Sequence, residues 1–385
     1  MRQAPGALRE PPPDDASSEW DKSAIMRLGI IGLPQSGKTT IFNALTGQNL
    51  PTGFAASGQM EVHTAVMPVP DERVDFLSRL YKPKKTTYAT VTYKDIGGID
   101  QGIGEGGISG PLRNELAQVD GFLHVVRVFE DENVPHSQGS INPQRDVEII
   151  ESEFLLLDLI AVERRLERLR DEWHKVKSDE RRQNEIETAL MERLHAQLEA
   201  EQPLRALEDL TADDLKLIRG YGLLTLKPIL IVLNTGEESP DVASLISVSG
   251  PKLAAVTLQG EIEAEIAQLS PEDRALFLEE YGIEEPGASR VIRLSYDLLG
   301  IQSFFTVGED EVRAWSLPVG GTAVEAAGVI HTDLARGFIR AEVTAFDDLR
   351  ELGDMKAVKA AGRQRLEGKN YVVQDGDILT IRFNV

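Results

Sequence analysis

Gly32-Leu33-Pro34-Gln35-Ser36-Gly37-Lys38-Thr39 decides how this chain is read. The eight residues satisfy G-x-x-x-x-G-K-[ST] at every fixed position, and their surroundings suit it. Leu28-Gly29-Ile30-Ile31 before them reads as a buried strand, and Thr40-Ile41-Phe42-Asn43-Ala44-Leu45-Thr46 after them as the first turns of a helix. Glycines let such a loop curl until successive N–H groups point at one centre, and the helix dipole adds to the attraction for phosphate. Lys38 would bridge the β- and γ-phosphates, and the Thr39 hydroxyl would take one Mg2+ position. The backbone from Gly32 to Thr40 is therefore the expected cradle of a nucleoside triphosphate.

The chain around this loop has 385 residues, enough for two or three domains. Its hydrophobic fraction of 41% and charged fraction of 27% are those of a globular protein. No apolar run reaches membrane-spanning length. Cysteine is absent, which excludes disulfides and thiolate metal sites, and the six His lack metal-ligand spacing. A formal charge of −22 repels nucleic acid except where basic groups concentrate. That happens after residue 301, where Lys356, Lys359, Arg363, Arg365 and Lys369 lie close in sequence. RNA contact is expected to start there; DNA and membrane partners are not expected. Residues 1–25 are polar, acidic and proline-rich around Pro11-Pro12-Pro13-Asp14-Asp15, and read as a disordered extension without a signal peptide. A cytoplasmic location is the resulting expectation.

Short β-branched runs separated by helical patterns follow: Ala89–Lys94, Phe122–Val128, Ile229–Leu233 and Arg290–Leu294. They predict a mostly parallel sheet covered on both faces, an α/β P-loop domain over 26–145 and 221–301. Between these halves, 146–220 is rich in Glu, Arg and Leu. Leu159, Val162, Leu166, Leu169, Trp173 and Val176 mark one helix face, and Ile186, Leu190, Met191, Leu194 and Leu198 a second, after a polar break at Ser178-Asp179. An inserted coiled-coil hairpin is predicted, with Thr211-Ala212-Asp213-Asp214 capping a further helix. From 302 to 385 the alternating runs Val312–Leu317, Gly337–Val343 and Ile378–Phe383, with a turn at Asp375-Gly376-Asp377, predict a small β-grasp module.

Partner motifs refine the ligand. Asp95-Ile96-Gly97-Gly98 fits D-x-x-G, in which the aspartate reaches Mg2+ through water and the glycine N–H meets the γ-phosphate. Ile99 stands where small GTPases carry the glutamine that orients water, so intrinsic hydrolysis should be slow, or another group must place the water. Asn234-Thr235-Gly236-Glu237 occupies the place of a base-reading N-K-x-D. Guanine needs a short carboxylate accepting from N1–H and the exocyclic amine together. Glu237 is too long for that, and Thr235 cannot cover the base as a lysine stem would. The base site leans to ATP.

Together these residues resemble the YchF/Obg-like ATPase family. The resemblance covers nearly everything after Met26, and rests on Gly32–Thr46, Pro68–Arg73, His124–Asp131, Asn234–Glu237 and the C-terminal runs Ala327–Asp333, Gly337–Val343 and Tyr371–Asp377. It implies a G domain, an inserted helical domain and a C-terminal TGS domain, with ATP hydrolysis and ribosome association. It also implies that His136 replaces the missing glutamine, and that Gln259 and Gly260 form the second base loop. Three departures stand out: Gln35 replaces an asparagine linked to monovalent cations, Gln59 replaces the switch threonine, and the glycine-rich stretch after Asp95 lacks the family's lysines. Three readings remain open: an ATPase regulating ribosome-associated events through its TGS and helical domains, a nucleotide-binding module with negligible turnover, or ordinary GTP binding.

Overall fold

The computed structural model describes residues 26–52, 62–96, 108–173, 178–238, 240–281, 283 and 285–384. The expected N-terminal extension, Gln59, Gly98, Ile99 and Val176 lie outside the described residues. Those described form two compact units. One comprises Met26–Phe76 and Tyr88–Gln302; the other, Leu77–Thr87 with Ser303–Val385.

In the first unit, β1 (Met26–Ile31) is followed by β2 (Val62–Pro68), β4 (Thr90–Ile96), β5 (Gly121–Arg127), β6 (Ile229–Asn234) and β7 (Leu253–Leu258); the short β3 (Lys85–Thr87) belongs to the other unit. The sheet order is β2-β4-β1-β5-β6-β7. Every pairing is parallel except that of β2 with β4. Every residue of β5 and β6 is buried. Strands covered on both faces read as unbroken apolar runs rather than alternating ones, which is why these two were visible in the sequence. On one face, Leu112 and Leu116 of the helix Gly110–Ala117 join Ile150 and Phe154 against Ile31, Phe122, Val126 and Ile231. The Phe122 and Phe154 rings lie 4.9 Å apart.

Phe154 belongs to the helix Pro143–Trp173, whose 31 residues leave that core and continue into a second one. There Val162, Leu166 and Leu169 meet Leu190, Met191, Leu194 and Leu198 of the helix Ser178–Glu199. Ile186, expected on this seam, is 47% exposed. Its turn is filled instead by polar side chains. The Glu187 carboxylate takes two hydrogen bonds from Arg165, at 2.7 and 2.9 Å, and one from the Tyr221 hydroxyl at 2.6 Å. A paired carboxylate satisfies its oxygens in the seam, and the isoleucine rotates outward. The chain returns to the sheet through Asp158, a fully buried carboxylate accepting from the Leu224 and Thr225 amides and the Thr225 hydroxyl. Burial raises its pKa, and those three donors oppose the rise. The capping box expected at Thr211 forms with Asp214.

Arg290–Leu294 is not a strand. It lies inside the helix Gly287–Leu298, whose buried positions are Ala288, Val291, Ile292, Ser295 and Tyr296. Those spacings of three and four are helical, but the run Val291-Ile292 mimics a strand when its neighbours are ignored. The structure also adds β2 and β7, both at sheet edges, which the sequence reading missed.

The second unit has β8 (Ile301–Val307), β9 (Glu311–Pro318), β10 (Phe338–Ala345), β11 (Arg365–Glu367) and β12 (Asp377–Phe383), ordered β11-β10-β12-β8-β9-β3. β12 runs parallel to β8 and antiparallel to β10, the mixed arrangement expected of a β-grasp. The helix Ala323–Ile330 lays Ala323, Ala326 and Ala327 onto Phe304, Phe338, Ala341 and Val343. Small residues on that helix let it approach the sheet closely. The expected turn carries Gly376 at φ 88°, and its N–H bonds the Ser303 carbonyl at 2.8 Å. At the sheet edge β3 pairs with β9, and the Thr87 hydroxyl donates to Glu311 at 2.6 Å. A lysine-bearing strand of three residues suits an edge, and is too short to announce itself in a sequence. Among the described residues no helix is long and apolar enough to cross a membrane.

Candidate functional site

The loop Gly32–Gly37 joins β1 to the helix Lys38–Thr46. Its backbone is unusual at three points: Gly32 at φ 153°, Gln35 at φ 62° and Gly37 at φ 89°. A Cβ on Gly32 would stand 2.3 Å from the Val125 carbonyl oxygen, and one on Gly37 would stand 2.2 Å from the Asn234 amide nitrogen. Glycine is therefore required at both by contact as well as by dihedral. Gln35 has no such exemption; a left-handed non-glycine residue costs on the order of 1 kcal/mol, a strain typical of ligand-binding loops. The N-cap of the following helix is Gly37, so no side chain competes for the first helical N–H groups. Lys38, Thr39 and Thr40 open that first turn.

Lys38 is 92% buried, and its ammonium bonds the carbonyls of Gly32 (3.2 Å) and Leu33 (3.0 Å). The cation is thus folded back across its own loop. The Thr39 hydroxyl donates to the Asp95 carboxylate at 3.0 Å, joining the loop to the end of β4. A hydroxyl and a carboxylate in contact form the hard-oxygen donor pair that Mg2+ prefers. The two expected metal residues therefore meet, and they fit the ion.

Asn234, at the end of β6, is 97% buried. Its amide nitrogen donates to the Ser36 carbonyl at 3.0 Å, and its oxygen accepts from the Gly260 N–H at 3.2 Å. One side chain thereby fastens the phosphate loop to the loop at Gln259-Gly260, expected from the resemblance to be the second base loop. Gly260 must be glycine, since a Cβ there would meet the Asn234 oxygen at 2.5 Å. Gln259 is fastened separately, its amide donating to the Glu237 backbone carbonyl. Glu237 is exposed, leaving its carboxylate at the rim.

His136 lies in the loop between β5 and the helix Pro143–Trp173. Its Nε2 sits 3.0 Å from the Asp146 carboxylate, and its Nδ1 accepts from the Gln138 N–H at 3.1 Å. His136 and Asp146 are both nearly buried, and Arg145 holds the other Asp146 oxygen at 2.7 Å. This pair lines one pocket with Leu33, Pro34, Ser36, His124 and Arg127. The structure so brings together Gly32 to Thr40, Asp95, Asn234 and Gly260, with His136 against the back of the phosphate loop.

Sequence reasoning missed Asp146, Arg127 and His124. Arg127 is 3% exposed; its Nε donates to the Phe129 carbonyl at 3.0 Å, and its guanidinium stacks 4.5 Å from that ring. Burial, and secondarily the charge of Lys38, hold the His124 imidazole down at about 3, so it stays neutral. A His and an Arg within an otherwise apolar strand were the available signal.

A family model for YchF-GTPase_C, described as a protein of unknown function (DUF933), matches residues 301–384. The "Ribosome-binding ATPase YchF" of Pasteurella multocida is 40% identical over 365 residues, covering 93% of this chain and 99% of its own. The chain belongs to the YchF family. The Escherichia coli O157:H7 member of the family, under the same name, is 39% identical, again over 93% of this chain and 99% of its own. "Obg-like ATPase 1" of Oryza sativa subsp. japonica is 36% identical over 94% of this chain and 93% of its own. A solved YchF structure, that of the Schizosaccharomyces pombe YchF GTPase, superposes with a TM-score of 0.79 at 30% identity, covering 93% of this chain and 98% of its own. The P-loop G-domain fold, the helical segment and the C-terminal domain are those of the family.

Proposed function

We propose that this chain is a cytoplasmic, Mg2+-dependent ATPase that hydrolyses ATP to ADP and uses the cycle to regulate a ribosome-associated event. The observation that carries the reading is the convergence of Lys38, the Thr39–Asp95 pair and Asn234 on the phosphate loop. Lys38 neutralises phosphate charge after leaving the Gly32 and Leu33 carbonyls, which hold its place in the free protein. Thr39 and Asp95 would hold Mg2+, which when bound would supply positive charge against the phosphates. Gly98 meets the γ-phosphate through its N–H. His136 takes over the placing of water from the glutamine that Ile99 replaces.

The base site uses Asn234 to set the loop and Glu237 to accept the exocyclic amine of adenine, with Gln259 and Gly260 on the opposite side. Curated relatives bear the names ribosome-binding ATPase and Obg-like ATPase, which supports both the nucleotide and the partner. On this reading the chain divides into a G domain (26–145 and 221–301), a helical domain (146–220) and a TGS domain (302–385). The last two are the surfaces offered to ribosome or RNA.

Calorimetric titration with ATP and GTP, each with and without Mg2+, followed by phosphate release on the same sample, tests the reading. Lys38→Ala should abolish turnover, and Glu237→Asp with Thr235→Lys should move preference toward GTP. A parent protein that already prefers GTP would overturn the base assignment. A second reading, a nucleotide-dependent binder with negligible turnover, draws on His136: both its ring nitrogens are engaged, leaving neither for water. ATP bound tightly without phosphate release, even with ribosomes present, would favour it.

A further inference from the structure

We propose that Asp146 is a shared post behind the phosphate loop: its carboxylate keeps His136 engaged, and takes Arg127 as its partner when His136 leaves. The inference rests on the reading of His136 as the group that places water.

Three features of the pocket point to this exchange. First, Asp146 divides its oxygens. One is held by Arg145 through Nε and Nη2, at 2.9 and 2.7 Å; the other faces His136 Nε2 at 3.0 Å. Departure of His136 would strip the second oxygen of its donor inside the protein, and an unpaired buried carboxylate is strongly disfavoured. Second, Arg127 lines the same pocket, and its Nη1 is buried with no hydrogen-bond partner. Ser36 Oγ and His124 Nε2 in that pocket also lack partners, but Arg127 Nη1 alone among the three belongs to a permanent cation, and in a pocket that Asp146 also lines it marks a bond available in another arrangement. Third, the count of bonds balances. In the present arrangement the Asp146 oxygen is paired and Arg127 Nη1 is not. After the exchange Arg127 and Asp146 are paired, His136 Nδ1 keeps the Gln138 N–H two residues on, and His136 Nε2 is free for water or phosphate. Losing one bond while gaining another keeps the two arrangements close in free energy, as a switch requires.

Asp146 and Arg127 are thus positioning residues, acting through His136. Asp146→Asn weakens the hold, and should raise kcat for ATP three- to tenfold with KM unchanged. The gain should vanish when His136→Ala is added. Arg127→Lys, which keeps the charge and loses the fork, should lower kcat several-fold at constant KM. A fall in kcat for Asp146→Asn, or no change, would overturn the proposal.

A readout without turnover separates this inference from the assignment as an ATPase. Nitrogen-15 spectra of the full chain should show a hydrogen-bonded His136 Nε2–H in the free protein. Saturation with Mg2+ and a non-hydrolysable ATP analogue should remove it, and Asp146→Asn should lack it from the start. A His136 resonance unmoved at saturation would sink the exchange even if the enzyme turns over. A protein with no phosphate release but a His136 signal that moves would overturn the ATPase reading and keep the exchange.

Discussion

Gly37 and Gly353 have nearly the same backbone torsion, φ 89° and 87°, in different units of the molecule. Around Gly353 nothing lies within 4 Å of where a side chain would begin; around Gly37 the Asn234 amide stands 2.2 Å away. The same torsion ends a helix in one unit and lets the Asn234 side chain close on the phosphate loop in the other. Buried polar atoms divide in the same way. Four without a hydrogen-bond partner lie in the nucleotide-binding unit, on Ser36, His124, Arg127 and Thr235, whereas among the described residues the C-terminal unit has one, on Thr344. A fold that leaves four such atoms in the unit with the strained loop and one in the other has given up stability where that loop sits.

The largest expected effect strikes that contrast directly. Gly37→Ala should weaken ATP binding at least a hundredfold by calorimetry, through a clash that separates Asn234 from the loop. Binding within threefold of the parent would show that the two glycines do the same work. Next, Asp158→Asn should lower unfolding free energy by about 3 kcal/mol in urea, because both carboxylate oxygens accept from buried backbone amides and the new side-chain NH2 would set a donor against one of them.

Lys227 gives a third test through pH. Its ammonium caps the carbonyls of Leu116 and Ala117 at 2.6 and 2.9 Å, and burial lowers its pKa from 10.5 to about 8. The sign follows from proton counts. Below pH 8 both states carry the proton and the folded state bears the whole penalty. Between about 8 and 10.5 the unfolded state binds more protons, so stability rises with pH. The parent should gain on the order of 2 kcal/mol over that window relative to Lys227→Met. A constant difference would show that the lysine titrates normally. The smallest effect belongs to Gly353→Ala: about 1 kcal/mol of stability, from torsion alone, with nucleotide affinity unchanged.

What could be read from sequence follows from how local each signal was. The phosphate loop, the strand before it and the helix after it are contiguous, so residues 28 to 46 declared themselves. β5 and β6 were visible because burial on both faces leaves few polar residues in either strand. The contacts of Asn234 with Ser36 and Gly260 join residues far apart in the chain, and only the motif hinted at them. Asp146 was hidden more thoroughly, as one acid in an acidic helix, distinguished only by what the loop before it carries back. The helix Gly287–Leu298 was misread because two β-branched residues outweighed a face of five positions. β3 went unread because three residues carry no period.

The helix Pro143–Trp173 has a mechanical consequence. At about 1.5 Å per residue its 31 residues make a rod of roughly 46 Å. Asp146 sits in its first turn, Ile150 and Phe154 form a fulcrum in the sheet core, and Leu169 lies at the far end of the hairpin. The arm beyond the fulcrum is longer than the arm behind it. A large sweep at the hairpin tip is therefore geared down to a small tilt at Asp146, on the scale by which a hydrogen bond is made or lost.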